Sequence, residues 1–533
     1  MQKRKHLIFL GLILLINCIV FSASLYHPAR SDQVAYLIDS AHCHNFNELV
    51  GHSYSFNRTR QYMAGDRFLF RPLFFTVLSL EQTFFGYDFR YWQVTGFLLH
   101  LIVLCLLLRI MFMLKPHWLA YILVFHFSVF SAGAEMVIWH HVHGYLIFVI
   151  LILLAFKDFL KYRENNYSDD KYVRRMFLYL LLAIFFLEFG IICCFLFFLA
   201  VVVSADRSKF VKHAMLLAPV VIFALVNLVD WYIHYPGGSL LGLETVSFSW
   251  KAFLKEYIFL IDMALILPFI PAMTSLVLRE RTILTLNLNG SSGISAFFNL
   301  IAIMLIFLLV ALWLYFLFKN INAYRNHSGS QTFLMQRLKI PGVLTICTAG
   351  IYILLILGAR TFSKHPQYIR YNLYHLYIIW VWLTMGIYIG FTLMVENFTA
   401  PQRKILCICF AWICVITGTI NAAKLFTYNQ SVKNTYRWWG RYINDLSHFI
   451  EQHKNEQDFS YEWFYRYRGG HMVHIKIKDT EKKLSGYISD LIFEKYKKRH
   501  DPKYFLIYLP QGGIVSFKDP ASAQEYLATH KIL

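Results

Sequence analysis

Asp32 stands a few residues beyond the apolar run that opens the chain, at the start of a polar loop. A carboxylate beside a low-dielectric wall has its pKa raised by burial, which suits a general base for an acceptor hydroxyl. Asp39, Glu48 and Asp66 lie in the same loop and compete for that role. Arg71 precedes Pro72 at the head of a further apolar segment. A guanidinium at a membrane surface can hold a lipid phosphate through paired hydrogen bonds, whereas an isolated one simply snorkels to the headgroups. Arg360, Lys364, Arg370 and Tyr371 form a second anion-binding group in one short loop. Glu135 and Glu188 each interrupt an apolar run, where an ionised carboxylate needs a cation or a polar cavity. His100, one turn inside its run, reads as a satisfied core histidine. His140, His141 and His143 invite a metal, yet these spacings do not share one helical face, so a rim cluster touching substrate is expected instead.

The elements that must position these residues are membrane-spanning helices. Of 533 residues, 57% are apolar and only 15% charged, against about 25% charged in soluble domains. The formal net charge of +20 is spread over loops and tail without a basic-aromatic repeat. That argues against a nucleic-acid binder and favours membrane orientation with an anionic substrate. Eight of the nine cysteines lie in apolar runs, so no disulfide framework is implied. Cys407 and Cys409 sit in an apolar helix without polar companions, and structural zinc needs four converging ligands. No metal site is expected; no cofactor is called for, and a divalent metal requirement is left open.

Lys3-Arg4-Lys5 ahead of the first apolar run places the N-terminus in the cytoplasm and the run itself in the membrane as an uncleaved helix. Further spans are expected near 91–113, 117–133, 136–156, 176–188, 190–205, 213–233, 294–318, 341–358, 374–395 and 404–424, about eleven in all. The basic stretches Lys157–Arg175, Arg207–Lys209, Lys319–Lys339 and Arg403-Lys404 then fall inside. Segments 72–86 and 257–277 are taken as helices along the outer interface. The fold class is thus an all-α polytopic membrane protein with a small C-terminal α+β domain. A membrane module covers 1–427, with an external loop over 27–90, and a soluble external domain covers 428–533. Trp438, Trp439, Tyr442 and Phe449 suggest an amphipathic helix. His471–Lys478, Tyr504–Leu509 and Ile514–Phe517 alternate like strands, the last two joined by a turn at Gln511-Gly512-Gly513.

Taken in order, these islands resemble the multi-spanning GT-C glycosyltransferases, particularly the protein O-mannosyltransferase and tetratricopeptide-bearing mannosyltransferase branch. Asp32 follows the first span, where that superfamily keeps its catalytic acid. Arg71-Pro72-Leu73, Phe84-Phe85-Gly86 and Gly96-Phe97-Leu98-Leu99-His100 are similar to one family passage. Ala134-Glu135-Met136-Val137-Ile138-Trp139 with His143-Gly144-Tyr145-Leu146 is similar to a second, Leu187-Glu188-Phe189-Gly190 to a third, and Arg370-Tyr371 to a late-loop pair. The match covers roughly residues 1–210, and 340–430 in outline. Gln33 stands where the family has a second acid, Leu187 where it has a lysine, and the tetratricopeptide tail is lacking. The resemblance implies an inverting transfer of a sugar from a polyprenyl-phosphate donor to an external protein or glycan acceptor, at the inner (plasma) membrane of a bacterium. It makes Asp32 the base, seats the donor phosphate on Arg71 and Arg370, and leaves Glu135, His140, His143, Glu188, Tyr371, Asp39 and Asp66 as substrate-site candidates. The alternatives are a flippase for a lipid-linked sugar and a non-catalytic envelope-assembly protein.

Overall fold

The computed structural model describes residues 2–26, 45–51, 71–86, 88–130, 134–139, 142–204, 210–234, 331–361, 374–396, 398–453, 460–466, 503–509 and 513–530, with 269, 304, 315, 455 and 456 singly. Nearly all of it is helix. In chain order the helices are α1 (Gln2–Phe21), α2 (Pro72–Phe85), α3 (Phe89–Leu114), α4 (Leu119–Ser128), the single turn α5 (Glu135–Ile138), α6 (His143–Glu164), α7 (Asp170–Phe186) and α8 (Gly190–Ser204). They continue with α9 (Ala218–His234), α10 (Gln331–Thr361), α11 (Tyr374–Glu396) and α12 (Ala400–His453); strands β1 (Tyr461–Arg466), β2 (Tyr504–Tyr508) and β3 (Ile514–Phe517) precede α13 (Pro520–Thr529).

Six helices among the described residues are long and apolar enough to cross a membrane: Leu7–Leu25, Arg90–Leu114, His143–Glu164, Phe210–Asp230, His375–Glu396 and Ala400–Gln430. The protein is therefore built as an integral membrane protein. The expected eleven spans meet these six for physical reasons. Among the described residues of the 117–133 run the helix is α4, whose ten residues rise about 15 Å against a hydrocarbon core of about 30 Å. The 136–156 run is broken after α5 and restarts at His143. Helices α7 and α8, with 17 and 15 residues, rise about 25 and 22 Å. The 341–358 run lies inside α10, which carries Pro341 within it. Segment 72–86 is the 14-residue α2, and the runs at 257–277 and 294–318 lie outside the described residues apart from Phe269, Met304 and Tyr315.

The chain divides into two compact units, the first comprising Met1–Phe21, Asn57–Leu78 and Thr95–Phe426, the second Ser22–Phe56, Ser79–Val94 and Thr427–Leu533. Aromatic rings fill the first. Phe156 meets Phe197 and Trp382 at 6.3 and 5.9 Å between centroids, tying α6 to α8 and α11. Threonine hydroxyls fit these apolar helices by returning to carbonyls one turn back, as Thr348 does to Leu344 O and Thr384 to Trp380 O, both at 2.6 Å. Helices α6 and α7 form an antiparallel hairpin. Its reversal puts Asn166 and Tyr167 at positive φ, and Asp169 caps α7 by accepting from Lys171 N.

In the second unit β2 pairs in parallel with β1 and antiparallel with β3. Between β2 and β3, Leu509 N donates to Gly513 O at 3.1 Å, and Gly513 takes φ +92°, which favours glycine. Ile507, Ala523 and Leu527 form a small core with Phe505, Leu509, Phe517 and Tyr526 packed against it. Helix α13 was not anticipated. Asp519 caps it, accepting from Ser522 N at 2.8 Å, with Pro520 in its first turn. The proposed His471–Lys478 strand lies outside the described residues, and residues 438–449 continue α12 as helix.

Candidate functional site

Three of the polar islands meet in the first unit. Arg71 lies just ahead of α2, whose start at Pro72 uses a residue with fixed φ and no amide hydrogen to lose. Its Nε donates to both carboxylate oxygens of Glu188 at 2.9 Å, and its Nη2 lies 2.8 Å from Glu188 Oε2. Its Nη1 donates to the Tyr145 hydroxyl at 2.8 Å. All three guanidinium nitrogens are engaged, across 117 and 74 residues of sequence. The pair is partly open, with side-chain exposures of 16% for Arg71 and 28% for Glu188.

Glu188 is placed by a break between two helices, where the sequence parts the expected spans 176–188 and 190–205. Helix α7 ends at Phe186 and α8 starts at Gly190, with Leu187 extended between them. A Cβ on Gly190 would lie 2.6 Å from the Ile184 Cα, so the reversal is tight enough to require glycine there. The carboxylate thus sits at a helix junction, and the cation it needs is Arg71. Tyr145 lies in the first turn of α6, its ring edge-on to Phe74 and to His375 at 5.4 and 5.8 Å. Phe74 reaches this position because residue 144 is glycine; a Cβ there would come 2.2 Å from the Phe74 ring. His375 Nδ1 pairs with the Tyr352 hydroxyl at 2.8 Å, and Tyr352 packs on Phe189 at 4.5 Å.

Helices α2, α6, α8 and α11 all begin at or near this cluster. The positive ends of helix dipoles favour an anion, and in this structure the Glu188 carboxylate supplies it. An arginine fork, a phenol donor and helix N-termini form a set suited to a phosphate in place of that carboxylate.

Of the other candidates, His143 opens α6 and is buried. A Cβ on Gly96 would lie 2.4 Å from its Nε2. Glu135 opens α5. Asp32, Asp39, Asp66, His140, Arg370 and Tyr371 lie outside the described residues. His100 is separate from the Arg71 cluster. It is buried between the Tyr377 hydroxyl, 2.7 Å from Nδ1, and Asn17 Oδ1, 3.3 Å from Nε2. The Asn17 amide donates to Ile13 O and Ser128 Oγ. No group of three or more potential metal ligands occurs among the described residues, and the eight described cysteines are free thiols.

Tyr145, Tyr352 and His375 were not anticipated as members. Tyr145 lies inside the quoted His143-Gly144-Tyr145-Leu146 passage and His375 follows Arg370-Tyr371 closely, so polar residues in or beside an island carried the available signal. Compared with protein-family models, with curated proteins and with solved structures, the chain matches none, and the functional reading rests on the site itself.

Proposed function

We propose that the protein is a membrane glycosyltransferase of the GT-C type, moving a sugar from a polyprenyl-phosphate donor to a protein or glycan acceptor with inversion. The observation carrying this reading is the convergence of Arg71, Tyr145 and Glu188, three separate islands, where four helices begin. Lys115, Lys161, Arg163, Lys171, Arg174, Arg175, Lys212, Arg403 and Lys404 lie toward the opposite ends of these or neighbouring helices. Positive-inside orientation makes that side cytoplasmic, with the N-terminus, and the Arg71 side external, with the residues from Tyr428 onward; the inner membrane of a bacterium fits this reading.

Arg71 and Arg370 hold the donor phosphate. Asp32 takes the proton from the acceptor hydroxyl as its oxygen bonds to the anomeric carbon. The bond from that carbon to the phosphate oxygen breaks on the opposite side, its electron pair leaving with the lipid phosphate. Electrostatic stabilisation of that leaving group carries much of the rate. Glu135, His140, His143, Tyr371, Asp39 and Asp66 border the acceptor or sugar.

The test uses purified full-length protein and a radiolabelled polyprenyl-phosphate sugar. Release of polyprenyl phosphate is expected, and Asp32→Asn should slow it by about 10²–10⁴-fold while donor binding survives. Movement of intact labelled lipid across vesicles without release would replace the transferase with a flippase.

A further inference from the structure

The far end of α11 carries a second charged cluster. Glu396 accepts from Lys115 Nζ and, at 3.0 Å, from Arg403 Nη1, while the Tyr388 hydroxyl donates to Lys115 O. Lys404 is exposed beside them. Two basic side chains therefore meet one carboxylate, and with Lys404 next to Arg403 in sequence the positive charges outnumber the negative. Burial foremost, and next the Arg403 charge, push the Lys115 pKa below the usual lysine range.

A cavity of about 280 Å³ is lined by Trp118, Ile408, Ala411, Trp412 and Val415. Lys404, Ile408, Ala411, Trp412 and Val415 recur at i, i+4, i+7, i+8 and i+11, so one face of α12 runs from a basic side chain into an apolar crevice. Trp118 and Trp412 are 44% and 57% exposed. Tryptophan favours the boundary between headgroups and acyl chains. The crevice has no room for a helix about 10 Å across, but suits a single aliphatic chain.

We propose that this crevice binds an anionic diacyl phospholipid, one acyl chain lying between Trp118 and Trp412 and the phosphate meeting Lys404 and Arg403. The crevice lies on the apolar span Ala400–Gln430, where lipid is the surrounding solvent, and the basic excess selects the anionic class. This site is independent of the Arg71 cluster and of the transferase reading.

The experiment titrates the detergent-purified full chain with dioleoyl phosphatidylglycerol and dioleoyl phosphatidylcholine, counting retained lipid by native mass spectrometry. Phosphatidylglycerol should be retained roughly fivefold better for each basic side chain engaged. Lys404→Glu, at an exposed position, should erase the preference and Lys404→Arg keep it. Phosphatidylglycerol with brominated acyl chains should quench tryptophan fluorescence, less so in Trp412→Phe. Equal retention of the two lipids, an unchanged preference in Lys404→Glu, or unaltered quenching in Trp412→Phe would overturn the proposal.

Discussion

The Arg71–Glu188–Tyr145 cluster and the Asn17–His100–Tyr377 cluster both place polar groups in an apolar bundle, with opposite consequences. The second is buried, and its hydrogen bonds join α1, α3, α4 and α11. The first is charged, partly open, and made of residues at helix ends. Its guanidinium is held by a partner that an incoming anion can replace. In a membrane both must be satisfied, because unpaired polar groups there cost several kcal/mol. Burial and charge separate the two clusters.

Between the two clusters, the larger effect should come from Arg71→Ala, which removes charged hydrogen bonds worth about 1.5–3 kcal/mol to donor use, a rate loss of roughly 10–150-fold. Arg71→Lys should restore only part, lacking the planar fork. Steady-state transfer at matched protein stability measures it; unchanged rates in both would make Arg71 a fastening like His100.

His100→Leu should lower stability by about 1–3 kcal/mol through loss of the Tyr377 and Asn17 bonds, with the donor KM unchanged. Combining it with Asn17→Leu should cost less than the two separately, since they share a contact. A donor KM that rises in His100→Leu would move this cluster into the site.

Glu188→Gln should act smaller and in the opposite sense to Arg71→Ala. Removing the competing charge should tighten binding of a phosphate analogue several-fold, roughly 1 kcal/mol. Weaker binding, read by isothermal calorimetry, would show that the pair serves only to hold the helices.

The smallest effect concerns Glu456, a water-exposed contrast to both. Its carboxylate is pushed down to about 2, first by the hydrogen bond with His453 and then by those with Lys503 and Tyr504. The folded pKa lies below the ordinary 4.5, so the stabilisation is full above that value and fades as pH falls from 4.5 toward 2. Protection of the β2 amides against hydrogen exchange, relative to the intrinsic rate, should fall over that window, and Glu456→Gln should flatten the dependence.

The islands were visible in the sequence because a charge in an apolar run stands out, and Glu188 announced its need for a cation. That the cation is Arg71 was not visible, since a contact across 117 residues leaves no local periodicity. The break between α7 and α8 was legible, since the expected spans part between Glu188 and Gly190; α7 ends two residues earlier, at Phe186. In the C-terminal unit, β2 and β3 were legible from alternation and a Gly-Gly turn. Strand β1 was missed because its partner lies more than 40 residues on in a parallel pairing. Helix α13 was missed although Asp519-Pro520 is a capping signal.

Helix α11 is fastened at both ends, by His375 to Tyr352 and by Glu396 to Lys115 and Arg403. The 22 residues of this span rise about 33 Å at 1.5 Å each. A helix held in this way has little freedom to tilt, so hydrophobic mismatch must be taken up by the lipid. Thinner bilayers would stretch around it and thicker ones dimple, at fractions of a kcal/mol per Å. The two polar clasps thereby fix how α11 sits against its neighbours, whatever the thickness of the bilayer around it.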